Sequence, residues 1–253
     1  MKTKTTFSVL SLALLATSTF AAENQLASVS TGIGFDNYGA SLKMQYEKNS
    51  ESNVTKGIME LKGIAGSSIG WSNSNDRDDS IDSFRARFFS NNTNSGLGGY
   101  LDTNYDVEKE AANVSGNVSF LYKYNKLKML PYAGLGLSIV NGKLPLEENG
   151  YPVDDDRVTG YTMPGSFGQV GIYLSYDITD NLNFTYNPEY RTTLGGSESY
   201  VNSYFDGNSY QFYNEVRLGY RINQQWDMQY HIEWYSNNND ADAINGVEVN
   251  YHF

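Results

Sequence analysis

Ten residues near the C-terminal end of the chain decide the fold, and they read WDMQYHIEWY from Trp226 to Tyr235. Even-numbered positions carry Trp, Met, Tyr, Ile and Trp, whereas odd-numbered positions carry Asp, Gln, His, Glu and Tyr. This alternation places the apolar side chains on one face only if the backbone is extended, so the stretch predicts a β-strand. Residues 210–222, 182–194 and 247–253 repeat the pattern.

Two classes of protein contain such strands. A soluble β-sandwich turns the apolar face inward, whereas a transmembrane β-barrel turns it outward into lipid. The complete patterns here run for ten to thirteen residues, while sandwich strands average about five or six and a tilted strand crosses a bilayer in about nine to eleven. Trp226 and Trp234 lie at opposite ends of their apolar face, as residues of the aromatic girdles do. The sequence therefore predicts an all-β fold, a transmembrane antiparallel up-and-down β-barrel.

The composition limits the chemistry that this barrel can perform. Among 253 residues there are 21 Tyr and 24 Gly but no Cys, which excludes disulfides, thiol catalysis and Cys-ligated metals. The net charge of −11 argues against nucleic acid as a partner. Two histidines, His231 and His252, offer little for catalysis. Hydrolase chemistry needs a base beside a nucleophile, and we predict no catalytic residue, no cofactor and no metal.

The N-terminal 21 residues predict a secretory signal peptide. Lys2 and Lys4 precede the mainly apolar stretch 7–16, and a small-x-small cleavage site ends at Ala21. A membrane anchor would need about twenty apolar residues instead of this short stretch. We therefore expect residues 1–21 to be removed and residues 22–253 to form a single barrel domain.

The alternating patterns predict twelve strands, with ten as the alternative because the first two strands are weak and rich in glycine. They cover residues 27–35, 40–47, 54–66, 81–90, 96–105, 113–124, 127–140, 166–178, 182–195, 208–222, 226–236 and 244–253. Short connections at 125–126, 179–181 and 223–225 alternate with long polar connections at 67–80, 141–165 and 196–207, as periplasmic turns alternate with outer loops. An even number of strands places both termini in the periplasm.

The chain resembles the Gram-negative outer-membrane β-barrel proteins in its signal peptide and in its last five residues, VNYHF. The resemblance implies that Tyr251 and Phe253 form the signal read by the outer-membrane assembly machinery. It also implies an outer-membrane location, in contact with lipid and lipopolysaccharide. Within this class the layout is similar to that of small monomeric twelve-stranded porins for acidic oligosaccharides.

Strand parity places nearly all of the strand charges on the inward face, away from lipid that would exclude them. The candidates for lining the lumen are Arg85, Arg87, Glu189, Arg191, Glu215, Arg217, Arg221, Asp227, His231, Glu233 and Glu248. Small inward residues such as Ser30, Gly134 and Gly136 are expected to leave room for a narrow passage, which paired charges can instead close.

One hairpin predicts contacts within the lumen. If the strands at 208–222 and 226–236 pair across residues 223–225, opposite residue numbers sum to about 448. The register then sets Arg221 against Asp227, Arg217 against His231, and Glu215 against Glu233. Because facing carboxylates repel each other, we expect a cation such as Arg217 or Arg191 between the two glutamates. A mixed-charge cluster at mid-barrel is the prediction.

Two functions remain open. The first is a narrow porin-like channel for small polar or charged solutes. The second is a non-conducting surface barrel whose loops contact lipopolysaccharide, a host or a phage, because the predicted outer loops, counting Asp36, hold seventeen acidic and four basic residues. The carboxylate clusters at 76–79, 154–156 and 240–242 suit divalent cations. They lack the Gly-x5-Glu continuation of a dedicated calcium loop, and we interpret them as solvated loops.

Overall fold

The computed structural model describes residues 27–70, 80–142, 146–148, 151–153, 160–205, 207–235 and 243–253. Twelve antiparallel strands form a closed barrel in which each strand pairs with its neighbours in sequence. The strands are β1 Ala27–Asp36, β2 Gly39–Asn49, β3 Asn53–Ile64, β4 Ser83–Asn92, β5 Leu97–Asp106, β6 Ala111–Phe120, β7 Leu127–Asn141, β8 Tyr161–Asp177, β9 Leu182–Gly196, β10 Tyr210–Arg221, β11 Trp226–Tyr235 and β12 Ile244–His252. Beyond Leu121, Tyr122–Tyr124 continues β6 along β7.

Closure of the barrel joins its first and last strands. β1 pairs with β12 from Ser30 opposite His252 to Asp36 opposite Gly246. The number of twelve strands predicted from the sequence is confirmed, and the alternative of ten is wrong because the glycine-rich β1 and β2 pair along their whole length.

The two ends of the barrel differ in their connections. Both described chain ends, at residues 27 and 253, lie at the turn end, together with the turn at Asn125-Lys126. Asn125 has a φ of 51°, a left-handed conformation that Asn tolerates in tight turns. The opposite, loop end carries two helices among the described residues, α1 Gly66–Ile69 and α2 Glu198–Phe205, and a short hairpin of Leu146–Glu148 with Tyr151–Val153.

The two faces of the wall have opposite chemistry, as the parity argument predicts. Outward side chains are apolar and exposed, with Val118 at 72% and Leu135 at 66%. Inward side chains are mostly polar and buried, with Arg87 at 4% and Glu215 at 3%. This distribution reverses that of a soluble protein and suits a wall surrounded by lipid. No described helix has the length and apolar character needed to cross a membrane.

Asp36 corrects one prediction. It was assigned to the acidic outer loops, but it ends β1 and is only 1% exposed. Its carboxylate accepts a hydrogen bond of 2.7 Å from the backbone N–H of Tyr38. The β1–β2 connection is a two-residue turn, so the carboxylate folds back over the turn and is withdrawn from the outer surface.

Candidate functional site

The lumen is divided into two main parts. A cavity of about 390 Å³ opens toward the loop end, lined by residues that include Arg85, Arg191 and Tyr235. A cavity of about 530 Å³ opens toward the turn end, lined by residues that include Lys56 and Arg221. These two cavities, the loop-side and turn-side cavities, share no lining residue.

Four charged side chains form what we name the mid-barrel ring: Glu60, Arg87, Glu215 and Arg217. The last three line the turn-side cavity, and none of the four lines the loop-side cavity. Arg87 donates from Nη2 to Glu60 Oε2 at 2.6 Å and from Nη1 to Glu215 Oε2 at 3.4 Å. Arg217 donates from Nη2 to Glu60 Oε1 at 3.4 Å and from Nε to Glu215 Oε1. Two guanidinium groups and two carboxylates thus form a closed, electrically neutral circuit.

The ring crosses the full width of the barrel. Arg87 belongs to β4 and Glu215 to β10, which are six strands apart in either direction around the wall. Arg85, two residues before Arg87, makes a parallel contact with the Tyr213 hydroxyl at 3.5 Å. Cross-lumen contacts of this kind narrow the passage at mid-height.

Further ion pairs within the lumen flank the ring. Lys62 donates to Glu233 at 2.8 Å, and Lys43 pairs with Glu248. Arg85 binds Asp102 with two bonds, from Nε to Oδ1 at 3.1 Å and from Nη2 to Oδ2 at 2.7 Å. Such fork-shaped pairing fixes the guanidinium group.

Aromatic side chains fill the lumen beside β4, β5, β7 and β8. Phe89 stacks on Tyr100 with 4.4 Å between ring centroids, and Tyr132 and Tyr173 complete the cluster. The Tyr100 hydroxyl donates to Asp102 at 2.7 Å, and that of Tyr132 donates to Glu189 at 2.8 Å. Strand parity places these rings inward, but none of them was among the predicted lumen residues, which were charged or small apart from His231.

We expected the small inward residues to leave room for a narrow passage unless paired charges close it, and large side chains occupy the space beside them. A Cβ added at Gly134 would lie 2.3 Å from Asn117 Oδ1, and one at Gly136 would lie 2.1 Å from the Phe167 ring. Ser30 and Ser138 are likewise buried. Small residues on one strand admit large side chains from its neighbours, so the space is filled.

Helix α2 folds into the loop end of the lumen. Its Tyr200 and Phe205 pack on the inward-facing Phe167 of β8, and all three are 1% exposed. The Arg191 guanidinium lies 4.6 Å from the Phe167 ring centroid, a cation–π distance. Burial raises the pKa of Tyr204 in the same helix to about 12, so its hydroxyl stays protonated. The helix restricts this mouth of the barrel.

The predicted hairpin register is confirmed. Arg221 lies opposite Asp227, Arg217 opposite His231, and Glu215 opposite Glu233. The cation that neutralises Glu233 is Lys62, not Arg217 or Arg191.

The other predicted residues lie outside the ring. Arg191 instead donates to Glu189 at 2.7 Å in the loop-side half of the lumen. Asp227 accepts from Asn250 at 2.8 Å and contacts His252. Arg221 lines the turn-side cavity, and His231 is buried.

The girdle residue Trp226 and the predicted assembly residues Tyr251 and Phe253 meet at the turn end. The Tyr251 ring contacts Trp226 and Phe253, with 4.9 Å between centroids in each pair. Phe253 is 52% exposed, and its backbone N–H donates to Val29 of β1 at 3.0 Å. Trp234 lies at the other end of β11, half-buried.

No group of three or more metal-ligating side chains occurs among the described residues. The carboxylate clusters at 76–79, 154–156 and 240–242 lie outside those residues.

Comparison with known proteins agrees with this architecture. A family model described as oligogalacturonate-specific porin protein (KdgM) matches residues 153–253, which include β8 to β12. No curated protein sequence matches the chain. The solved NanC porin has 8% identity and a TM-score of 0.55, covering 88% of this chain and 98% of its own. A solved KdgM porin has 12% identity and a TM-score of 0.37, covering 89% of this chain and 99% of its own. The NanC porin therefore shares the fold, and the family match supports a narrow porin-like channel of the outer membrane.

Proposed function

We propose that this channel passes small acidic solutes, of the class of acidic oligosaccharides. The observation that carries the proposal is the charge of the turn-side cavity. Seven basic side chains line it against three acidic ones. Four of the seven pair with carboxylates, namely Lys43, Arg87, Lys128 and Arg217, so the excess of positive charge comes from the other three. Positive charges confined in a cavity raise the local concentration of anions and speed their entry. The family description, which names oligogalacturonate, supports the same class of solute.

Three of these cations, Lys56, Lys123 and Arg221, form no ion pair with any described residue, although Lys56 lies opposite Glu47 and Arg221 opposite Asp227 in the strand registers. Lys123 lies directly opposite Lys128 in the β6–β7 register. Lys128 pairs with Asp177 at 3.3 Å, so Lys123 is the member of this couple that remains available to an anionic solute. These side chains are the proposed contacts for the solute in the turn-side half of the lumen.

The loop-side half of the lumen offers a different surface from the turn-side cavity. The loop-side cavity is lined by Arg85 and Arg191, by the aromatic Tyr213 and Tyr235, and by amides such as Asn104. Polar groups and aromatic faces combined in one concave site suit small ligands that carry hydroxyl and carboxylate groups. We infer that a solute entering from the loop end meets these side chains before the ring.

We infer that the turn end faces the periplasm, with residues 1–21 removed, both termini inside and lipopolysaccharide around the loop end. The absence of cysteine allows a direct test with single introduced thiols. A membrane-impermeant maleimide should label Lys109→Cys, whose native side chain is 60% exposed, on intact cells. It should label Asp180→Cys, in an exposed turn, only after the outer membrane is permeabilised. The reverse result would invert the orientation.

A non-conducting surface barrel is the second candidate, and the mid-barrel ring favours it because its ion pairs span the lumen. Swelling of proteoliposomes distinguishes the two functions. We expect uptake of trigalacturonate to exceed that of the neutral trimer maltotriose, and Lys56→Gln with Lys123→Gln to reduce only the former.

Lys126→Gln is the matched control for this experiment, because Lys126 lies in a turn outside the cavity. Swelling with neither trimer would favour the non-conducting barrel. Equal swelling with both would contradict selection of acidic solutes.

A further inference from the structure

We propose that the mid-barrel ring is a gate, and that an acidic solute opens it when its own carboxylates replace those of Glu60 and Glu215 on Arg87 and Arg217. This proposal rests on the proposed function. It adds that the two glutamates occupy, in the closed channel, the positions that the carboxylates of the solute take during passage.

The ring lies across the path of a solute through the lumen. It joins β3 and β4 to β10 across the lumen, and its ion pairs separate the loop-side cavity from the turn-side cavity. Glu60, Arg87 and Glu215 are each no more than 5% exposed. A solute that passes from one cavity to the other has to part these contacts.

Arg87 has an unused hydrogen-bond donor. This guanidinium binds Glu60 and Glu215 through Nη2 and Nη1, while its buried Nε–H has no hydrogen-bond partner among the described residues. A carboxylate bound to the Nε and Nη2 edge would make two parallel bonds, the geometry that guanidinium groups favour. The ring leaves this capacity unused, so a carboxylate from outside can bind Arg87 with more bonds than Glu60 does.

Each displaced glutamate has another partner nearby. Glu60 lies opposite Lys43 in the β2–β3 register, and Lys62 lies two residues further along the same face. These lysines pair with Glu248 and Glu233, but an ammonium group has three N–H donors and can accept a second carboxylate as partner. Glu215 lies opposite Asn187 in the β9–β10 register, and the side-chain nitrogen of Asn187 has no partner among the described residues. Released carboxylates are therefore not left without compensation, which would otherwise oppose the exchange.

The chemistry of the exchange gives the gate its specificity. One carboxylate replaces another on the same guanidinium, so the charge of the ring is conserved while the solute is bound. A neutral sugar cannot make this replacement. A ligand shifts a conformational equilibrium only by its difference in affinity for the two states, so only solutes with carboxylates favour the open state.

Planar-bilayer recordings in KCl test the gate, with trigalacturonate as the probe. If the ring is closed at rest, trigalacturonate should raise the KCl current of the wild type, whereas a solute in a permanently open pore obstructs the current and lowers it. Glu215→Gln should raise the open probability about tenfold without the trimer, because a buried charge-assisted contact is lost. Glu60→Gln, on the opposite wall, should do the same and guards against a folding defect in either variant.

Asp36→Asn is the matched control. Asp36 is buried to a similar degree, but its carboxylate accepts a hydrogen bond from the backbone N–H of Tyr38 outside the ring, so the wild-type response should remain. Heat-modifiable mobility in gels verifies that each variant is folded.

The possible results distinguish failure of the gate from failure of the proposed function. If the trimer lowers the wild-type current and both glutamine variants conduct as the wild type does, the gate is overturned while a channel for acidic solutes stands. If the trimer neither enters proteoliposomes nor changes the current, the proposed function fails and the gate fails with it.

Discussion

Arg217 takes part in the ion pairs of the mid-barrel ring, and we expect it to influence the ion selectivity of the channel as well. It supplies one of two guanidinium groups to Glu60 and Glu215. Arg217→Ala should leave these carboxylates with Arg87 alone and raise the preference for cations, since charges in a poorly hydrated lumen are weakly screened. Removing one partner of a buried pair typically costs about 3 kcal/mol, so the unfolding temperature should fall as well. Reversal potentials in a salt gradient and thermal unfolding measure the two effects.

The matched control for Arg217 is Arg221→Ala, four residues along the same strand. Arg221 lies at the exposed end of the lumen and forms no ion pair with a described residue, so stability should change little. A reversal potential that stays constant in Arg217→Ala while the unfolding temperature falls would make the ring a structural brace with no role in selectivity.

Sequence reasoning at this scale identifies which side chains point inward but not which of them meet. The hairpin register correctly sets Arg217 opposite His231. The guanidinium instead contacts Glu60, on a strand five positions away around the wall. Long side chains cross the lumen, and their partners depend on barrel closure, which no local pattern contains. Lys62 was missed as the partner of Glu233 for the same reason.

At the scale of the element, strands are predictable because two-residue alternation is a local property of the chain. All twelve predicted strands exist, and β9 and β11 match within one residue. The largest difference is β8, which begins at Tyr161 instead of 166. Pro164 and Gly165 interrupt the alternation there, and the register against β7 shifts between Thr162 and Gly165, as expected of a bulge.

Helix α2 was predicted as part of a polar loop, because its eight residues lie among Ser, Asn and Gly. Tyr200 anchors it in a cradle of small residues: a Cβ at Gly165 would lie 2.2 Å from its ring. We expect Tyr200→Ala to release the helix, since deleting a buried aromatic side chain costs about 3–5 kcal/mol. In a Ser199→Cys background, where the native serine is buried, maleimide labelling should accelerate about a hundredfold or more, in keeping with that loss.

Labelling of Asn202→Cys, on the exposed face of α2, provides the reference for this experiment and should be fast with or without Tyr200. A slow Ser199→Cys reaction in the Tyr200→Ala protein would mean that other contacts hold the helix.

The closing strand β12 supports a prediction about assembly. Phe253→Asp removes the aromatic side chain that packs on Tyr251. An acidic residue near the membrane interface costs at most about 1 kcal/mol, which is too little to unfold the barrel. We therefore attribute any loss of outer-membrane protein to failed assembly, and expect a periplasmic, protease-sensitive species in cell fractions. Phe253→Tyr should assemble normally, whereas normal levels of Phe253→Asp would exclude Phe253 from the assembly signal.

At the scale of the whole molecule, charge is distributed unequally along the barrel axis. The turn-side cavity carries seven basic and three acidic side chains, whereas the loop-side cavity carries three basic and two acidic ones. An axial gradient of fixed charge accumulates mobile anions at one mouth, so conduction should depend on the direction of the field. Channels inserted in one orientation should therefore conduct unequally at opposite voltages of the same size.

The dependence on salt makes this expectation specific. Charges are screened beyond about 30 Å at 0.01 M salt but beyond only about 3 Å at 1 M, so rectification should be strong in dilute KCl and disappear in concentrated KCl. Lys56→Gln with Lys123→Gln should weaken it at low salt, while Lys126→Gln, outside the cavity, should not. Rectification that persists at 1 M would have to arise from movement of an element such as α2, because fixed charge in the turn-side cavity cannot produce it there.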